Sequence, residues 1–274
     1  MSRSSASAAD VRASAGEAGT AAPQVRGNVR SGSPRSPRSI RPVTDVLVPP
    51  RSTTGLLRVQ RLVRIEDGER LASLVWRAGG GWRMISSAVL GGGIGERAWV
   101  LNAQVSHGYR RADPDRHLAD LARDAGVRGP GVGLMTAADA GAYGRAHDGG
   151  AEAVATVGLG VRGWAASPAE GTAAPTRPGT INIVVALPVA LTDGALVNAV
   201  ATATEAKVQA LLDSGYDCSG TPTDAVCIAA RSPRAGVESE AFAGPRSLWG
   251  ARVARAVHGA VRAAAGPVAG APRP

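Results

Sequence analysis

Four short apolar runs follow one another before the chain shows its first helical period. Leu56–Ile65, Leu71–Arg77, Trp82–Leu90 and Ala98–Val105 are rich in Val, Ile, Leu and Trp, and glycines and charged residues separate them. Such runs between turn-forming residues read as β-strands. Joined this closely they pair antiparallel, because a parallel pair needs a crossover of a dozen or more residues. A helical pattern follows over Asp113–Ala125, with Leu118, Leu121 and Ala122 on one face. Gly131–Thr136, Ala151–Leu159, Thr180–Leu187 and Ala225–Ala230 read as further strands. A long helix over Asp193–Leu212 opens at a Thr192–Asp193 cap, and an amphipathic helix over Ser247–Ala264 ends at Gly266-Pro267. That order excludes the regular βαβ alternation of a doubly wound sheet. The expected class is mixed α+β, a mainly antiparallel or mixed sheet packed with the helix near 193–212 and the C-terminal helix.

Residues 1–45 contain Ser, Ala, Arg, Gly and Pro without apolar periodicity, the composition of a disordered tail. A single domain is expected over 46–266, with a flexible loop over 166–178 and a disordered end over 267–274. The 274 residues are 44% hydrophobic and 19% charged, enough to build a substantial core. Glycine and proline, 36 and 18 residues, stay below the share that marks disorder throughout.

The net charge of +9 would suit nucleic acid, but the excess is concentrated in the tail. Residues 1–55 hold eight arginines against Asp10, Glu17 and Asp45, and few aromatics elsewhere offer stacking surfaces. No nucleic-acid partner is therefore expected. No stretch approaches the roughly 20 apolar residues that span a bilayer. Two cysteines, Cys218 and Cys227, make no disulfide framework, so the chain reads as cytoplasmic. Oligomeric state is not legible.

The candidate chemistry gathers around the one lysine among thirty arginines, Lys207. At helical spacing Val197, Val200, Thr204, Val208 and Leu211 fall on one stripe, with Lys207 at its edge. Glu205 lies two residues away and faces elsewhere, so the two cannot neutralise each other. A lysine can give up its proton or serve as a compact charge, which an arginine cannot; a structural pair with a loop carboxylate is the alternative. Thr180 and Asn182 share one strand face. The Gly220–Ala225 turn supplies Thr221, Thr223 and Asp224, either as a site or as turn caps. SSAVLGGG (Ser86–Gly93) ends in three glycines, which admit a close ligand or only a turn. His107, His117, His147 and His258 have no metal-ligand spacing, and surface or satisfied histidines are the expectation. A GxSxG elbow is absent. The nucleophile candidates left are hydroxyls, Thr180 first.

In order along the chain, SSAVLGGG with Asn102, VGLMTAA (132–138), TVGLG (156–160), GTINI (179–183), TATEAK (202–207), GTPTDAVCIA (220–229) and the LWGARVARAVHGAV helix resemble the adenosylcobinamide amidohydrolase (CbiZ) family. One departure is CSGT, Cys218–Thr221, where the family more often has Thr before Gly-Thr. The resemblance implies hydrolysis of the amide joining aminopropanol to the corrin ring, giving adenosylcobyric acid for corrinoid salvage. It implies a corrinoid as substrate, not cofactor, and no metal is expected because the sequence shows no ligand cluster. It implies one pocket lined by Thr204, Glu205, Lys207, Thr221, Thr223 and Asp224; with Thr180 as the first hydroxyl candidate, the expected catalytic residues are Thr180, Glu205, Lys207 and Asp224. The substrate would meet Ser86, Ser87, Gly91, Gly92, Gly93, Asn102, Thr136, Asn182, Thr204, Ser219, Thr221 and Thr223. A non-catalytic corrinoid-binding or carrier protein is the alternative. The order Gly179-Thr180, helix, Thr/Asp turn is also similar to self-cleaving Thr-nucleophile acyltransferases, which implies Thr180 as nucleophile and a cut before it.

Overall fold

Asp67 and Gly68 take φ of 51° and 86°, the left-handed pair that a two-residue type I′ hairpin demands. They fold β1 (Val59–Glu66) back onto β2 (Glu69–Arg77), with Glu66 opposite Glu69. The fold is taken from a computed structural model that describes residues 55–168 and 179–268. The tail over 1–45, most of the 166–178 loop and residues 269–274 lie outside the described residues.

After the hairpin come β3 (Trp82–Ser86), β4 (Gly93–Glu96), β5 (Trp99–Gln104), α1 (Pro114–Asp124), β6 (Val132–Thr136), β7 (Gly144–Asp148), β8 (Ala151–Val157) and β9 (Ile181–Ala190). They are followed by α2 (Asp193–Asp213), β10 (Ala225–Arg231) and α3 (Leu248–Ala265). Thr192 and Ser247 cap α2 and α3 by accepting from the amides of Ala195 and Gly250. The fold is mixed α+β, with both helices expected near the C-terminal half in place.

Two sheets form, in the orders β1-β2-β5-β6 and β4-β3-β10-β9-β8-β7. All neighbours are antiparallel except β5–β6 and β9–β10. Those two parallel pairs are joined through α1 and α2, the connections long enough to cross over. Strand alternation then sorts the side chains. In β9, Ile181, Ile183, Val185 and Leu187 join α2 and α3 in one core, while Val184 and Ala186 turn to the other sheet. A third core lies between α1 and the four-stranded sheet, around Trp99, Leu101, Leu118 and Leu121. The layers therefore run α1, four-stranded sheet, six-stranded sheet, α2 with α3.

Three details depart from the sequence reading. The run over Trp82–Leu90 is not one strand: β3 ends at Ser86, and the chain loops into the short β4, whose GIGE has no apolar alternation to reveal it. The polar β7 (GRAHD) is likewise a strand because it pairs with β8 and packs closely on α3, where Ala260 O leaves no room for a Cβ at Gly144. The buried stripe of α2 is also different. Ala195, Leu196, Ala199, Ala203, Ala206, Ala210 and Leu211 face inward with Thr202 and Lys207, whereas Val197 is 56% exposed and Thr204 points to solvent. The helix is wedged against both a sheet and α3, and alanines permit that approach where valines would hold the elements apart.

Candidate active site

A cavity of about 570 Å³ opens where the ends of the two sheets meet. Its wall is built from the 87–89 segment after β3, the 105–110 loop after β5, residues 134–137 at the end of β6, Thr180 and Asn182 at the start of β9, and residues 223–225 at the start of β10. Ser86 and Ser87 tie the first of these segments to β10. The hydroxyl of Ser86 donates to Val226 O at 2.9 Å and accepts from Ala88 N, and Ser87 Oγ accepts from Val226 N at 3.1 Å.

Behind the cavity runs a polar chain through the space between the sheets. Asn182 Nδ2 donates to Asn102 Oδ1 at 2.8 Å and to Met135 O at 3.0 Å, and Asn102 Nδ2 donates to Thr156 Oγ1 at 2.9 Å. These bonds fix which way both amides point. All three side chains are buried, and among the described residues Asn182 Oδ1 is a buried oxygen with no hydrogen-bond partner. Buried acceptors are almost always paired, so this unpaired oxygen, on a residue that lines the cavity, stands out.

Beside it the hydroxyls of Thr180 and Thr223 are 2.6 Å apart. Both also reach the carbonyl of Gly179, at 2.8 and 3.1 Å. Asp224 holds this corner together. Its Oδ1 accepts from Ile181 N at 2.9 Å and Thr221 Oγ1 at 2.5 Å, and its Oδ2 accepts from Thr221 N at 3.2 Å and Lys207 Nζ at 2.5 Å. Lys207 comes up from α2, only 7% exposed, and is not part of the cavity wall. Gly220, at φ 147°, passes so close that an added Cβ would strike Asp224 Oδ2 and Lys207 Nζ. A slender ammonium fits under that turn; the planar fork of an arginine is too wide for it.

The structure thus brings Ser87, Thr136, Thr180, Asn182, Thr223 and Asp224 onto one cavity. Asn102, Thr221 and Lys207 stand directly behind them as hydrogen-bond partners, and Ser86 braces the neighbouring segment through Val226 O and Ala88 N. The remaining candidates lie elsewhere. Thr204 and Glu205 are exposed on α2, Thr204 bonding back to Val200 O. Ser219 ties its turn to Gly163 O and Ala165 N. Gly91 lines a separate hollow with Arg97 and Trp99, Gly92 bonds through its carbonyl to Arg97, and Gly93 opens β4.

One group was missed. Tyr109, on the cavity wall, lies 3.1 Å from His117 Nδ1 through its hydroxyl, and the two rings stack at 12°. His117 Nε2 faces Glu66 Oε1 at 3.4 Å. Burial holds the His117 pKa below the ordinary imidazole value, against the opposing pull of Glu66, and burial raises that of the Tyr109 phenol. The signal was in the helical spacing, which puts His117 on the buried face of α1 beside Leu118 and Leu121. Among the described residues no three His, Cys, Asp or Glu side chains are grouped to hold a metal ion, and no helix is long and apolar enough to cross a membrane.

Residues 57–270 match the family model described as adenosylcobinamide amidohydrolase. The chain is also similar to a curated protein of Methanosarcina mazei named adenosylcobinamide amidohydrolase. The identity is 31% over 183 residues, 65% of this chain and 87% of that relative. Every residue on the cavity wall lies inside the matched stretch.

Proposed function

Since the chain belongs to the adenosylcobinamide amidohydrolase family, we propose that it hydrolyses the amide joining aminopropanol to the corrin ring of adenosylcobinamide. The products are adenosylcobyric acid and aminopropanol, and the setting is corrinoid salvage in the cytoplasm. The observation that carries this reading is the unpaired Asn182 Oδ1 beside the Thr180–Thr223 hydroxyl pair. A secondary amide presents one N–H donor next to one electrophilic carbon. Asn182, on the cavity wall, carries one unpaired acceptor just beneath the surface, next to hydroxyls that can attack. Its volume, about 570 Å³, suits the aminopropanol arm and the ring edge bearing it, with the rest of the corrinoid outside.

In this reading Asn182 accepts from the scissile N–H and so orients the carbonyl. Thr180 Oγ1 attacks the carbonyl carbon, the C–N bond breaks, and water then resolves the ester. Asp224 and Lys207 hold the 221–224 turn and keep Thr223 against Thr180. Glu205 is given no step, since it is exposed on α2. No metal or organic cofactor is assigned, the corrinoid being substrate.

Incubating the protein with adenosylcobinamide, with and without a chelator, tests the proposal. Equal amounts of aminopropanol and adenosylcobyric acid should appear at the same rate in both. A corrinoid that binds and releases no amine would point instead to a binding or carrier role.

A further inference from the structure

We propose that Glu66, His117 and Tyr109 form a proton relay that serves the cavity, with Tyr109 Oη as the group that exchanges protons with the reacting atoms. The inference rests on the amide hydrolysis proposed above. Its starting point is what the Thr180 corner lacks. Among the described residues the hydrogen-bond partners of Thr180 Oγ1 are Gly179 O and Thr223 Oγ1, neither of which is a base. Amide cleavage needs a group to take the proton of the attacking O–H and another to protonate the departing nitrogen.

The relay has the parts. His117 is 4% exposed and neutral by virtue of its burial. Glu66 Oε1 beside Nε2 favours the tautomer with its hydrogen there, which leaves the Nδ1 lone pair to accept from the Tyr109 hydroxyl. The lone pairs of Tyr109 Oη are then free to accept. Glu66 is held from behind by Arg64 Nε at 2.8 Å, and Arg64 reaches Gln104 O at 2.6 Å, the last residue before the 105–110 wall. Arg111 and Asp113, bonded to each other at 2.8 and 2.9 Å, are the other charges facing His117. Burying Arg64 and His117 around the partly exposed Glu66 costs desolvation that apolar side chains between β1 and α1 would not. Through Tyr109 the relay reaches the cavity.

The step balances without a further reactant. As the attacking oxygen bonds to carbon, its proton passes to Tyr109 Oη while the tyrosine's own proton passes to His117 Nδ1. The resulting imidazolium is paired with Glu66. When the C–N bond breaks, the shuttle runs in reverse and the nitrogen leaves as a neutral amine.

The experiment is the pH profile of kcat on adenosylcobinamide for the full chain and three variants. The parent should lose activity on the acid side, below the ordinary histidine range, where His117 gains a proton. Tyr109→Phe should lower kcat by about 10²–10⁴-fold, with KM and melting temperature close to the parent's. Glu66→Gln should move the acid limb to lower pH, since it removes the carboxylate that favours the imidazolium. His117→Asn should lower kcat and abolish the limb. A Tyr109→Phe variant at parental kcat, or a limb unmoved in Glu66→Gln, overturns the relay alone. A parent that releases no amine overturns the hydrolysis and the relay with it.

Discussion

Lys207 Nζ and Asp224 Oδ2 lie 2.5 Å apart beneath the Gly220 turn, and both side chains are nearly out of water. The pair joins α2 to the start of β10, so the sole lysine of the chain acts where a helix meets the cavity wall. Lys207→Ala leaves Asp224 charged, buried and short of a partner, and should cost about 3–5 kcal/mol in urea unfolding. Lys207→Arg should also destabilise, since the larger fork has no space under Gly220. A Lys207→Met, Asp224→Asn double variant should lose less than the two single losses combined. Additive losses would show that the pair is not coupled.

Gly220→Ala should be nearly as damaging. The residue sits at φ 147° and an added Cβ meets both members of the ion pair. Both strain and clash act on one turn, so a lowered melting temperature with reduced kcat is expected. A variant as stable and active as the parent would mean that the turn relaxes freely.

Thr180→Ala should abolish turnover while corrinoid binding and melting temperature stay near the parent's, and Thr180→Ser should keep part of the activity. An active Thr180→Ala variant moves the attack to Thr223 or to water. Intact-mass measurement of the active protein settles whether the bond before Thr180 is cut.

Asn102→Leu removes the acceptor of Asn182 Nδ2 and the donor to Thr156. It should cost about 1–3 kcal/mol for buried groups left unpaired. It should also reduce kcat/KM, because the Asn182 amide can then turn. A kcat/KM equal to the parent's would show that this orientation does not matter for the substrate.

Cys227 is enclosed between the sheets, and burial pushes its thiol from 9.0 up to about 12. The unfolded thiol ionises first as pH rises. The protein should therefore lose stability between about pH 9 and 12, and Cys227→Ala should flatten that loss. Below this range the native thiol should resist iodoacetamide and react only after unfolding.

How much was legible in the sequence depended on how far apart the partners stand in the chain. Features set by a few neighbouring residues could be read directly. Thr192 caps the long helix, and the Gly220–Ala225 turn forms with Thr221 bonding Asp224 three residues on. The β-branched runs likewise announce most of the strands and the mixed class, because extended backbone suits those side chains. β4 and β7 gave no such sign, since pairing with β3 and β8 makes them strands. Tertiary packing alone decided which face of α2 is buried: alanines and Lys207 face inward because a sheet and α3 press close, and the larger valines do not fit there. The same packing set Asn102 on Asn182 across 80 residues, and Glu66 beside His117 under Tyr109. Single hydrogen bonds of that span leave no local pattern. They exist because two sheets stack in one register, and that register is fixed by the summed burial of the whole core rather than by any segment.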